Sequence, residues 1–274
     1  MKYLASALVL TLAAQANAEV LHDLPYGADR RQRFDVYLPA HPEHAPVIFM
    51  VHGGGWRIGS KSESAVVSNK APYFTGRGYV FVSVDYRMLP DADPLQQARD
   101  VAQALAAAQD KAASWGADRK RFILMGHSAG AHLVALLNAN PLLAPNATPW
   151  LGTVSLDSGA LDVVDIMGHR HLRLYDEAFG RDAVFWRSVS PYWNLQPGAK
   201  PILLVCSTRR DDSCSQADAY LHKLSSNGVH ASVLRKDMSH REINLELGAD
   251  ATYTQQVQDF LNALTATAGS PPRE

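Results

Sequence analysis

The five residues Gly126-His127-Ser128-Ala129-Gly130 constrain this chain more than any others. They follow the largely apolar run 121–125 and lead into the apolar run 131–137, so the pattern reads strand, tight turn, helix. Where a strand end packs directly against a helix start, bulky neighbours clash, and the glycines answer that need. The turn holds its central serine in a strained backbone conformation with the hydroxyl exposed at the top of the sheet. A motif of this kind belongs at the carboxyl end of a strand in an α/β layer structure, where ligands bind.

The rest of the chain supplies such layers. Runs 20–24 and 33–38 read as a leading antiparallel strand pair with Gly27 in the turn between them. Runs 47–51, 79–85, 121–125, 153–156, 201–206 and 231–234 read as further, mostly buried strands. Helices are predicted over 64–75 (disturbed near its end by Pro72), 94–114, 215–226 and 252–265. Strands alternating with helices imply a mostly parallel sheet covered on both faces. Residues 158–198 break the alternation and carry Tyr175, Phe179, Phe185, Trp186, Tyr192 and Trp193. They read as a small lid over the site, or as an ordinary packed helix pair, and the two are compatible.

The first residues read as a targeting segment. Lys2 precedes an apolar run, 4–14, and then Ala16-Asn17-Ala18, which predicts a signal peptide over 1–18 cleaved after Ala18 and a periplasmic or secreted protein. An uncleaved anchor is the alternative, but the run is short for a bilayer. Residues 19–267 then suit one α/β domain, and 268–274, with Pro271-Pro272, read as a disordered tail. A hydrophobic content of 47% allows a large core, and a net charge of −1 favours neither nucleic acid nor an anionic membrane as a stable partner. Cys206 and Cys214 are the two cysteines. In an oxidising compartment they can pair, the alternative being two buried thiols. The cysteine and histidine spacing fits no metal site. His169 and His171, in a polar loop, read as solvated or locally hydrogen-bonded.

Upstream, His52-Gly53-Gly54-Gly55-Trp56 follows the strand run 47–51. A phosphate-binding loop would want Gly-Lys-Ser/Thr or a dinucleotide fingerprint, and neither is present. With His52–Trp56, then Asp85-Tyr86-Arg87 at a strand end, then Gly126–Gly130 and a late His240, the chain resembles the α/β-hydrolases of the esterase/lipase superfamily. It is most similar to their feruloyl-esterase-like, kynurenine-formamidase-like and hormone-sensitive-lipase-like branches, over about residues 33–260. It departs from the last branch in leaving no room for an N-terminal helical cap.

The resemblance implies an α/β-hydrolase fold, hydrolysis of carboxylic esters, a small-molecule substrate and no cofactor. It makes Ser128 the nucleophile and places the oxyanion donors at Gly54, Gly55 and Ala129, one such donor being worth about 3 kcal/mol in the transition state. Serine needs an adjacent base. In the order Ser, Asp/Glu, His, that base is His240, whereas His222 lies on a helix and His230 at a strand start. The acid is expected after the strand 201–206, where Asp211 is taken, with Asp212 and then Asp157 as alternatives and the second Asp of the pair capping the next helix. Asp85, Tyr86 and Arg87 are expected to support the glycine loop, Trp56 to pack beside it, and His127 and His132 to be structural. Short acyl chains are expected for want of a deep cover. The rival readings are an arylformamidase-like amide hydrolase and a non-catalytic binding protein on the same scaffold.

Overall fold

The computed structural model describes residues 19–267. The predicted signal peptide and tail lie outside the described residues. Eight strands form one sheet in the order β1-β2-β4-β3-β5-β6-β7-β8. They are β1 (Val20–Pro25), β2 (Arg33–Tyr37), β3 (Ala45–Val51), β4 (Val80–Val84), β5 (Ala117–His127), β6 (Gly152–Leu156), β7 (Ile202–Ser207) and β8 (Ala231–Lys236). β1 and β2 pair antiparallel, β2 joins β4 antiparallel, and β3 to β8 run parallel. This is the mostly parallel sheet expected.

Parallel strands joined by helical crossovers are buried on both faces, so alternate side chains feed two cores. Phe49 and Val51 of β3 and Phe122 and Leu124 of β5 enter one; Ile48, Met50, Ile123 and Met125 enter the other. The first face is covered by α3 (Pro94–Lys111) and α4 (Ala129–Ala139), the second by α1 (Ser64–Val67), α2 (Lys70–Thr75), α9 (His240–Leu245) and α10 (Ala251–Thr267). On the side of α4, α8 (Ser213–Ser226) packs Tyr220 and Leu224 on Ile202 and Leu204 of β7. Each such fully buried side chain contributes about 1.5–3 kcal/mol of transfer free energy.

Several boundaries differ from expectation for local reasons. The helix predicted over 64–75 is two short helices, broken at Ser68–Asn69 and not at Pro72. Pro72 sits in the first turn of α2, where its missing N–H costs nothing. The helix from Pro94, fixed by an Asp93–Gln96 capping box, ends at Lys111, and a 3-10 turn carries the chain to Gly116 at φ 67°. Residues 158–198 form three short helices, α5 (Val163–Gly168), α6 (Arg173–Phe179) and α7 (Ala183–Ser188). Tyr175 and Phe179 are buried, Phe185 and Trp186 pack partly on the same core, and Trp193 stays 47% exposed. The segment is packed structure and cover at once.

Candidate active site

β5 ends at His127, and Ser128 turns the chain with φ 56° and ψ −117° before α4 begins. A non-glycine residue at positive φ is strained, and here the surroundings dictate it. The Ser128 N–H donates to the Leu156 carbonyl at 3.0 Å, and its own carbonyl accepts from the His132 N–H at 3.1 Å. A methyl group on Gly130 would lie 2.2 Å from the Val51 carbonyl oxygen, and one on Gly126 2.3 Å from that of Gly130. Both positions admit only hydrogen.

His240 opens α9 with Ser239 as its cap. The Ser239 N–H donates to Glu242 Oε2 at 2.7 Å and the Glu242 N–H to Ser239 Oγ at 3.3 Å. The far end of α9 is held equally well. Its last carbonyls accept from the Tyr253 hydroxyl (to Ile243, 3.0 Å), Lys70 Nζ (to Asn244) and Asn69 Nδ2 (to Leu245, 2.7 Å). Lys70 is fully buried, and burial brings its ammonium down to about 7. The backbone carbonyl of His240 accepts from His127 Nε2 at 2.9 Å. Burial pushes His127 down to about 3, so it stands there neutral. Locked in this way, His240 puts Nε2 2.9 Å from Ser128 Oγ.

The carboxylate behind His240 is Asp157, not Asp211. Asp157 Oδ2 lies 2.5 Å from His240 Nδ1. Asp157 follows β6 and also adopts positive φ, 56°, which turns its carboxylate across the end of the sheet. It is fully buried, and both oxygens are occupied. Oδ1 accepts from the Ser207 N–H at 2.7 Å and from the Ser213 hydroxyl, and Oδ2 accepts from Arg210 Nη1 at 3.0 Å as well as from His240. Burial alone would raise this carboxyl. The hydrogen bond from His240, the charge of Arg210 and the bonds from Ser213 and Ser207 together hold it well below the usual carboxylate range.

The loop after β7 thus contributes an arginine where a carboxylate was expected. Asp211 is exposed and makes none of these contacts. Asp212 precedes α8, but its side chain makes no cap hydrogen bond and pairs instead with Arg210 Nη2 at 3.1 Å. Arg209 turns away to Asp237 and Glu242. In the sequence Asp157 shows only that it ends an apolar strand and falls between Ser128 and His240 in chain order, and the loop aspartates share that order. Cys206 and Cys214 are joined in a disulfide that closes this same loop.

The glycine loop lies across from Ser128. Gly54, Gly55 and Trp56 have φ of 113°, 59° and 60° in succession. Among the described residues the N–H groups of Gly54, Gly55 and Ala129 donate to no protein acceptor. All three residues line a cavity of about 490 Å³ with Ser128 and His240. The loop is supported as expected by Tyr86, which donates to the His52 carbonyl at 3.0 Å and stacks on its ring, while Asp85 lies 3.4 Å from His52 Nε2 and accepts from the Lys61 N–H at 2.6 Å. Arg87 does not join them; it pairs with Asp100. Trp56 Nε1 donates to His132 Nδ1 at 3.1 Å, which leaves His132 Nε2 to donate to the Val189 carbonyl at 2.6 Å. Burial pushes His132 down to about 4, and both its nitrogens are used structurally. Trp56 also packs on Tyr175 and Phe179 of α6, so the cover and the glycine loop share one aromatic cluster.

Among the described residues no group of three or more His, Cys, Asp or Glu side chains is arranged to hold a metal ion, and no helix is long and apolar enough to cross a membrane. His169 and His171 bond locally, to the Asp165 and His169 carbonyls.

The family model described as BD-FAE matches residues 34–177. A probable isoprenylcysteine alpha-carbonyl methylesterase from Oryza sativa subsp. japonica is 29% identical over 255 residues, covering 84% of this chain and 59% of that protein. A kynurenine formamidase from Danio rerio is 29% identical over 158 residues, covering 57% of this chain and 52% of that protein. The chain therefore spans between half and three fifths of the length of these relatives. Among solved structures, a truncated carbohydrate esterase from gut microbiota superposes with a TM-score of 0.77 at 17% identity, covering 93% of this chain and 99% of that one. At that identity the likeness shows the fold.

Proposed function

This chain belongs to the BD-FAE family and has the α/β-hydrolase fold, and on that premise we propose that it is a serine hydrolase of carboxylic esters with Ser128, His240 and Asp157 as its triad. The observation that carries the reading is the unbroken chain from Ser128 Oγ through both ring nitrogens of His240, 2.9 and 2.5 Å, to a carboxylate that stays ionised. With Nδ1–H donating to Asp157, Nε2 is free to accept the serine proton. Ser128 then attacks the acyl carbon, and the N–H groups of Gly54, Gly55 and Ala129 meet the oxyanion. His240 returns the proton to the leaving alcohol. Water, activated by the same histidine, hydrolyses the acyl-enzyme.

The acyl group proposed is short. The cavity beside Ser128 is lined by Trp56 and Tyr175 together with the exposed Leu172 and Leu174. Its cover is the three short helices α5, α6 and α7, and so slight a cover suits a small acyl group. Export is also proposed, from Lys2 and the apolar run 4–14, and the Cys206–Cys214 disulfide suits an oxidising compartment. N-terminal sequencing of the protein recovered from the periplasm or medium tests it, with Glu19 the start expected.

A second reading, hydrolysis of an arylformamide, draws on the formamidase relative and uses the same residues. A fluorophosphonate probe followed by peptide mass analysis tests the first claim, that Ser128 is a reactive nucleophile. A panel setting p-nitrophenyl esters against an N-formyl arylamine separates ester from formamide. A protein that the probe leaves unmodified and that turns over neither substrate class contradicts the hydrolase reading and favours a binding protein.

A further inference from the structure

Arg210 is a charged group in direct contact with the triad that the mechanism above does not use. Its side chain is 22% exposed, and its contacts radiate in three directions. Nη1 donates to the Asp157 backbone carbonyl at 3.1 Å and to Asp157 Oδ2 at 3.0 Å, and it lies 3.0 Å from His240 Nδ1. Nη2 reaches Asp212 at 3.1 Å. The Tyr175 hydroxyl of α6 faces the same two side chains, Arg210 and Asp212, across Gly159. All three groups converge on Gly159, where a methyl group would lie 2.6 Å from Arg210 Nη2 and 2.9 Å from both Asp212 Oδ2 and the Tyr175 hydroxyl.

Two N–H donors, from Arg210 and from His240, meet at one carboxylate oxygen. A guanidinium keeps its protons at any working pH and presents them in a fixed plane. One arm of the fork, Nη1, engages the Asp157 oxygen while Asp212 holds the other arm, Nη2, so the oxygen is oriented from a fixed direction. The other oxygen is engaged by Ser207 and Ser213, so three of the four groups that grip Asp157 come from residues 207–213. That stretch is pinned at both ends by the Cys206–Cys214 disulfide.

We propose, resting on the triad assigned above, that Arg210 is a positioning residue of the hydrolase: it sets the Asp157 carboxylate for His240 and ties it, through Asp212 and Tyr175, to the helix that covers the site. Because it acts behind the histidine, its loss appears in kcat more than in KM. Displacing a catalytic group by about an ångström can cost on the order of a hundredfold in rate.

The test uses the full enzyme and a p-nitrophenyl ester of short acyl length. Arg210→Ala is expected to lower kcat between about ten- and a hundredfold with KM within about threefold. Millimolar methylguanidine is expected to restore part of that loss, and methylammonium is not, because a point charge lacks the fork. Tyr175→Phe, which keeps the ring and its packing, is expected to lower kcat more modestly, again at unchanged KM, and serves if Arg210→Ala does not fold. Arg210→Ala at more than a third of wild-type kcat, a loss confined to KM, or equal rescue by methylammonium overturns the proposal. Ser128→Ala, assayed alongside, separates the two claims. A wild type as inert as Ser128→Ala overturns the triad and this inference together, whereas an active wild type matched by Arg210→Ala overturns this inference alone.

Discussion

Asp157 Oδ2 stands 2.5 Å from His240 Nδ1, although 83 positions separate the two residues in the chain. A carboxylate in that place orients the imidazole, selects its tautomer and stabilises the imidazolium formed in the transition state. Asp157→Asn keeps the shape and loses the charge, and is expected to lower kcat by about three to four orders of magnitude. Asp211→Asn is expected to stay within about twofold, since its side chain is exposed and bonds to none of the triad residues. Steady-state kinetics on the two variants decides the matter; an inactive Asp211→Asn beside an active Asp157→Asn would return the acid to the loop after β7.

What the sequence reveals here follows from what is local. The turn at Ser128 is legible because close backbone packing leaves glycine as the only choice at positions 126 and 130. The central strands are legible because burial on both faces leaves runs such as 47–51 wholly apolar. His240 is legible from chain order. The acid is not, because it depends on a positive φ at Asp157 and on which side chain of residues 207–213 turns inward, and both are settled by packing between distant strands. The break in the helix predicted over 64–75 is of the same kind. At the break, the Asn69 side chain reaches a carbonyl 176 residues away. The covering helices α5, α6 and α7 are six to seven residues each, too short to show a period.

Acyl length offers an independent check. With only three short helices, α5, α6 and α7, as cover, kcat/KM is expected to be highest for acetyl or butyryl esters and lower for a dodecanoyl ester. A p-nitrophenyl ester series reads this directly, and a maximum at the long chain would contradict the pocket as described.

Acid sensitivity follows from two buried histidines. Burial brings His127 down to about 3 and His132 to about 4, so in both the folded state takes up a proton less readily than the unfolded chain. For a base lowered in this way, stability is fully present above the unfolded value near 6.5 and is lost as pH falls below it. At pH 5 the loss is about 2 kcal/mol for each. Lys70, at about 7, acts in the same sense, its burial becoming less costly only as pH rises above that value. His171, raised by its hydrogen bonds to the His169 carbonyl and Asp176, acts oppositely, but at the surface. Tm is therefore expected to fall by roughly 10 °C between pH 7.5 and pH 5. A Tm that holds or rises over that interval would contradict the buried, neutral state of both rings.

The turn itself can be probed by a single methyl group. Gly130→Ala places that methyl 2.2 Å from the Val51 carbonyl oxygen and 2.4 Å from that of His52, with only backbone to displace. It is expected to cost about 3 kcal/mol or more, and to express poorly. Gly55→Ala meets nothing within 4 Å and bears only its φ of 59°, a cost of about 1–2 kcal/mol. Thermal melts that rank the two in reverse would show that the elbow is not packed as described.

The central claim is that Ser128 is the nucleophile, and one variant tests it most directly. In Ser128→Ala, turnover of a short-chain p-nitrophenyl ester is expected to fall by several orders of magnitude while Tm stays within about 2 °C of wild type, because the triad works as a unit. Retention of activity within about tenfold, roughly 1.4 kcal/mol in the barrier, would contradict it.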